Sequence, residues 1–120
     1  MSENPDFTFT NDPLDGFSAQ HDFRHTTGNS YTVFDNGRFH SPQISRGTEY
    51  ELDLQAMTAT MVWNYQVTGL YGSHMGSTQR LSTGAHVIGW GDVQGTTPRP
   101  DITEVGPGGS PALRVRFTPA

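Results

Sequence analysis

The strongest constraint on this chain is that it repeats itself. Arg24 and Arg80, Gly28 and Gly84, and Phe34 and Trp90 are each 56 residues apart. Glu49 and Glu104 follow at 55, and Tyr65 and Phe117 at 52, so the loops shorten in the second copy. Each pair holds the same place in a series of four short runs rich in Thr, Val and aromatic residues. Gly, Pro, Asn and Asp separate the runs. These residue types favour strands and turns over helices. The first series is 20–25, 30–34, 45–54 and 58–66; the second is 77–81, 85–90, 101–105 and 113–117. Gly28 and Asn29, and later Gly84, tolerate the positive φ that a tight hairpin turn needs. A further short strand is expected at 7–10, a turn cluster from Asn11 to Gly16, and one helical turn between Leu54 and Met57.

Within 45–54, Tyr50, Leu52 and Leu54 share one face while Glu49, Glu51 and Asp53 share the other. That alternation predicts a strand with one buried and one solvated face. Four antiparallel strands repeated at this interval are the pattern of a β-propeller blade. The expected fold is therefore all-β: two four-stranded antiparallel blades of a β-propeller, at 20–70 and 71–120. Residues 1–19 are expected as an N-terminal tail or the end of a preceding blade. Two unrelated β-meanders are the other way to read the pattern. Closed propellers use about 4–8 blades. Two blades leave faces and edges that invite further blades or copies of the chain itself.

Composition excludes several functions. There is no Cys among the 120 residues, which removes disulfides, thiolate metal sites and thiol catalysis. A formal charge of −5 argues against binding a phosphate backbone. No run approaches the roughly 20 apolar residues of a membrane span. Residues 1–20 lack the basic start and apolar centre of a signal peptide. All seven cations are Arg.

Polar residues gather in three places. The first is Gln20-His21-Asp22-Phe23-Arg24-His25, at the start of a strand. An imidazole there can serve as base, acid or nucleophile near neutral pH. The alternative is an Asp22–Arg24 pair within an ordinary sheet. The second is Ser45-Arg46, where Arg46 suits an oxyanion or an ion pair with Glu49 or Asp53. The third is the segment 72–80, whose glycines permit close backbone approach to a ligand; a flexible linker between blades is the alternative. Asp35-Asn36-Gly37 lacks the ligand alternation of a calcium loop and reads as a turn. His40, His74 and His86 lack metal-ligand spacing, so no metal and no cofactor are expected. His86 reads as half-buried, and Trp63, Tyr65, Trp90 and Phe117 as packing between blades.

These segments resemble the arylsulfotransferase family, in particular its actinobacterial and fungal branch. The matching stretches are QHDFRH at 20–25, TVFDNG at 32–37, SRGTEYELD at 45–53, ATMVWNY at 59–65 and STQRLSTGAHVIGWGD at 77–92. DITEVGPGGSPALRVRF at 101–117 and DFTF at 6–9 extend the similarity in the family's order. The resemblance implies a six-bladed propeller of which this chain is a C-terminal part. It implies transfer of a sulfuryl group from a phenolic sulfate donor to a phenol acceptor, through a sulfated histidine. The family's nucleophilic histidine matches His21. Arg24 and Arg46 are the candidates for contacting the sulfuryl oxygens, and Asp22 or another neighbour for orienting His21. The family's other site residues belong to earlier blades. Little or no turnover is therefore expected from these residues alone. Characterised relatives are periplasmic or exported, which gives the expected compartment. Two other readings are a non-catalytic propeller segment for binding or assembly, and a truncated product whose missing blades are encoded upstream.

Overall fold

The computed structural model describes residues 6–93 and 99–117. The ends of the expected tail and second blade, 1–5 and 118–120, lie outside the described residues. Nine strands run in chain order: β1 (Thr8–Thr10), β2 (His21–His25), β3 (Ser30–Asp35), β4 (Arg46–Asp53), β5 (Thr58–Gln66), β6 (Ser77–Arg80), β7 (His86–Gly89), β8 (Ile102–Val105) and β9 (Pro111–Val115). They form two sheets, ordered β1-β5-β4-β3-β2 and β6-β7-β8-β9. β2 to β5 pair antiparallel in sequence order, and so do β6 to β9. The described residues are all-β, and the two sheets fit partial propeller blades. The segment expected as a tail or the end of a preceding blade contributes β1, which pairs parallel with β5.

Two apolar clusters explain why the sheets stack. Phe34 from the first sheet meets Leu70, Ile88, Trp90, Val93 and Val105, with Trp63, Tyr65 and Val67 at the margin. Each buried side chain of this size contributes about 1.5–3 kcal/mol, so this layer holds the sheets together. The repeat partners Phe34 and Trp90 touch edge to face, with ring centroids 6.0 Å apart. The second cluster covers the opposite face of the first sheet. There Val33, Tyr50, Ala59 and Met61 are capped by Phe7, Phe9 and Phe17 from the N-terminal segment.

Three expectations change. Glu49 is not on a solvated face; it is 1% exposed, because the second sheet lies over it. His86 is buried rather than half-buried. Phe117 is 68% exposed rather than buried between the two sheets. Residues 54–57 form a hydrogen-bonded turn, with Asp53 Oδ1 accepting from the amides of Gln55 and Ala56.

Glu49 and His86 tie the sheets together. His86 Nε2 donates to Glu49 Oε2 at 2.9 Å, and its ring stacks on Trp63 with centroids 3.6 Å apart. Arg80 Nη1 lies 2.9 Å from Glu49 Oε1. Burial pushes the His86 pKa down, and the Glu49 hydrogen bond only partly offsets it. The unfolded chain therefore takes up this proton before the folded one does. The stability that neutral His86 supports is full above its ordinary value of 6.5 and is lost as pH falls from there towards the folded value. Urea midpoints should accordingly drop between about pH 7.5 and about pH 5.5. The slope should flatten in His86→Gln.

Candidate functional site

The bulge at the start of β2 sets the site. The register slips between His21 and Arg24, and Asp22 sits at φ 57. The slip breaks the simple alternation expected for this strand. It leaves His21 beside Asn36, at the end of β3. His21 Nδ1 is 2.7 Å from Asn36 Oδ1.

The protonation pattern follows from what holds Asn36. Its Nδ2 donates to the carbonyls of Gly72 (2.8 Å) and Met75 (2.9 Å). A carbonyl accepts only, so the amide nitrogen faces those two oxygens. Oδ1 must then face His21 and must accept. The proton of neutral His21 therefore sits on Nδ1, and the lone pair is on Nε2. The nearest donor to that lone pair is the Met75 amide, at a long 3.4 Å.

The segment 72–76, which reads from sequence as either a ligand loop or a flexible linker, is clamped. Gly72 N donates to Ser45 Oγ at 2.8 Å, and Ser45 Oγ donates to the Asn36 carbonyl at 2.9 Å. Asn36, Ser45 and Gly72 are all buried. The outer part of the loop carries Ser73 Oγ 2.9 Å from His74 Nδ1, and His74 Nε2 3.5 Å from Asp92.

Asp22 does not face the His21 ring. Its carboxylate accepts from Arg24 Nη2 at 2.9 and 3.1 Å, and from the Thr78 amide at 3.2 Å. Arg24 stays 44% exposed. It lies at a cleft of about 550 Å³ between the two hairpin tips, lined also by His25, Thr27, Arg80 and Ser82. Its repeat partner Arg80 thus faces the same cleft. The overlay of the two copies in sequence is an adjacency in space.

Arg46 is placed differently. Its partners are neither Glu49 nor Asp53. Nε donates to Asp35 Oδ2 at 2.8 Å, and Nη1 and Nη2 grip Asp12 at 2.9 and 3.1 Å. Nη2 also donates to the Gly16 carbonyl at 2.8 Å. The side chain is 1% exposed, so its charge is spent inside the protein. Asp35 Oδ2 also meets His40 Nε2 at 2.9 Å, and its Oδ1 accepts from the amides of Ser18 and Gly37. Tyr50 donates its hydroxyl to Asp12 Oδ2 at 2.6 Å. Burial alone would raise the Asp12 pKa. Hydrogen bonds from Arg46, Tyr50 and the Leu14 amide outweigh it and hold the carboxyl below its ordinary value. Burial and the hydrogen bond to Asp12 push the Tyr50 phenol well up, so it remains a donor.

Asn36 is the residue that sequence reasoning missed. Asp35-Asn36-Gly37 reads as a turn. Yet the polar stretch 38–44 after it supplies no immediate return strand, so the turn had no second arm. That absence was the available signal that Asp35 and Asn36 point inward. Among the described residues, no group of three His, Asp or Glu is placed to hold a metal ion. No helix among them is long and apolar enough to cross a membrane.

Two stacked β-sheets, meeting beside a histidine whose inner ring nitrogen is held by a buried amide, define an all-β protein. The family described as Arylsulfotransferase (ASST) matches residues 4–117, and the chain belongs to it. A comparison with curated proteins gives no match.

Proposed function

We propose that this chain carries the nucleophilic half of a sulfuryl-transfer site, with a phenolic sulfate ester as donor and a phenol as acceptor. The observation that carries this reading is the Asn36–His21 hydrogen bond, anchored from behind by two backbone carbonyls. Family membership supplies the substrate class. His21 Nε2 attacks sulfur, the Nε2–S bond forms, and the S–O bond to the ring breaks. The phenolate leaves with the bonding pair. Asn36 Oδ1 meanwhile stabilises the positive charge that grows on the imidazole. In the second half the acceptor oxygen attacks sulfur. The pair returns to Nε2, and the acceptor proton passes to solvent.

Arg24 is the cation on the exposed approach in this proposal. Arg46 serves the site indirectly, by holding Asp35 next to Asn36. Multiple donors normally face the oxygens of a transferring group, and each lost donor costs about 10²–10³ in rate. The chain alone is therefore expected to accept a sulfuryl group slowly and to turn over little or not at all. Comparison of wild type with His21→Ala in a phenolic sulfate and phenol assay is the kinetic test. Any wild-type transfer should vanish in the variant, and equal transfer in both would end the assignment.

A binding or assembly role is the competing reading. One observation favours it: Leu113 on the edge strand β9 is 54% exposed, and Phe117 just beyond is 68% exposed. Such an edge suits further blades or a second copy. Intact mass after incubation with a phenolic sulfate separates the cases: an adduct on His21 favours sulfuryl transfer, and no adduct under any condition favours binding or assembly.

A further inference from the structure

We infer that the backbone amide of Met75 is the oxyanion donor of the His21 site, and that Gly76 and Gly91 are the positioning residues that hold it there. The inference rests on the nucleophile assignment above. It starts from the 3.4 Å separation between the Met75 nitrogen and His21 Nε2. That is long for a hydrogen bond, whose N···O or N···N distance is usually about 2.9–3.0 Å. The amide therefore restrains the resting lone pair only weakly. The 3.4 Å between the nitrogens is too short to hold sulfur in line, so a sulfuryl group on Nε2 lies to one side of the Met75 amide with one oxygen turned towards its N–H. Effective oxyanion donors sit about 2.7–3.1 Å from where the charged oxygen will be, not from where the ground-state atom is.

The amide must also be preorganised, because a donor that must reorient contributes little. Met75 adopts φ 62, a conformation that non-glycine residues enter only when their surroundings hold them. Four contacts do so. The Met75 carbonyl accepts from Asn36 Nδ2, which is the same group that fixes the His21 tautomer. Gly72, at the loop's start, is bound to Ser45 Oγ. Gly76, at φ 118, lies against the Phe34 ring so closely that a Cβ would overlap it. Gly91 presses on the loop from the other side; a Cβ there would stand 2.7 Å from Gly76 N and 2.8 Å from Met75 C. One buried amide side chain thus aims both the nucleophile and the peptide that faces it. The nucleophile and its donor come from different sheets' ends and meet only because Asn36 bridges them.

The chemistry balances with the amide as a spectator donor. During attack the Met75 N–H shifts from the Nε2 lone pair, now used in the N–S bond, to a sulfuryl oxygen. It gives up no proton. When the acceptor displaces Nε2, the N–H returns to the freed lone pair.

The test uses the whole chain, labelled with ¹⁵N, and two probes. Inorganic sulfate is titrated first, and the Met75 amide resonance is followed. A saturable downfield shift, larger at Met75 than at other amides of the loop, is expected. An absent or non-saturating shift overturns the donor. Incubation with 4-nitrophenyl sulfate and intact mass measurement then reports the adduct on His21. A shift without an adduct supports the donor but removes the histidine reading. An adduct with an unmoved Met75 amide does the reverse. Gly91→Ala, with its fold checked by the remaining amide spectrum, should slow adduct formation about a hundredfold while leaving the Asn36–His21 contact in place. An unchanged rate would remove Gly91 from the positioning role. Gly28→Ala, at a φ of 56 with no atom near the added carbon, controls for backbone strain alone.

Discussion

Arg46→Ala should cost the fold about 3–5 kcal/mol, because it leaves buried carboxylates without their cation. A domain of this size has a total stability of about 5–15 kcal/mol. The variant is therefore expected to be partly or wholly unfolded at room temperature. Three facts make Arg46 different from a surface pair. It is 1% exposed, it binds Asp12 through two nitrogens and Asp35 through a third, and both carboxylate side chains are fully buried. Asp12 comes from the N-terminal segment, so the loss should release that segment as well, exposing the face that Phe9 and Phe17 cover. Urea denaturation followed by tryptophan fluorescence measures the change. Combining Arg46→Met with Asp12→Asn and Asp35→Asn should recover much of the loss, since the buried charges then disappear together. A loss under about 1 kcal/mol, the value of an exposed pair, would contradict the assignment of Arg46 as the internal anchor.

Asn36→Leu should slow sulfuryl uptake by roughly 10²–10⁴-fold, the range seen when an orienting partner of a catalytic histidine is lost or gives the wrong tautomer. Leu keeps the branched shape, with somewhat more bulk, but removes the acceptor for His21 Nδ1. The imidazole is then free to place its proton on Nε2, where attack needs a lone pair. The same change strands the carbonyl of Met75 and leaves that of Gly72 with only the 3.2 Å hydrogen bond from Ser45 Oγ. Each buried unsatisfied group costs about 1–3 kcal/mol, so stability must be measured beside rate. The two effects separate by whether stabilising conditions restore the rate. A tautomer defect persists at every pH where the imidazole is neutral, while a folding defect is relieved at low temperature or with a stabilising co-solute. Wild-type rates in a folded Asn36→Leu protein would remove Asn36 from the mechanism.

Much of the architecture was legible because it depends on local pattern. The 56-residue offset placed Arg24 and Arg80, and Phe34 and Trp90, at equivalent positions; the arginines line one cleft and the rings touch. The four-strand series matched the observed strands to within one residue at each end, and β9 to within two, because Thr, Val and aromatic runs between glycine turns have few other options. Burial was less legible. Glu49 alternates with Tyr50 and so reads as solvated, but alternation predicts one wet face only when one face is covered. Here the second sheet covers one side of β4 and the phenylalanines of the N-terminal segment cover the other. Arg46 could be recognised as an anion binder but not assigned a partner, since Asp12 is 34 positions away in sequence. Asn36 was hidden for the same reason. Its role rests on Gly72 and Met75, carbonyls more than 30 residues on, which no local spacing reveals. His21 itself came from the family resemblance, and the bulge at Asp22 that aims it had no signature in the residue types.

The central claim is that His21 Nε2 accepts a sulfuryl group. It is tested most directly by peptide-resolved mass spectrometry of the chain after incubation with excess 4-nitrophenyl sulfate at neutral pH, quenched in alkali because a sulfated imidazole is labile in acid. The account predicts one added sulfuryl group, located on His21, absent in His21→Ala and discharged by an added phenol. An unmodified His21 after prolonged incubation, or equal modification in His21→Ala, would contradict it.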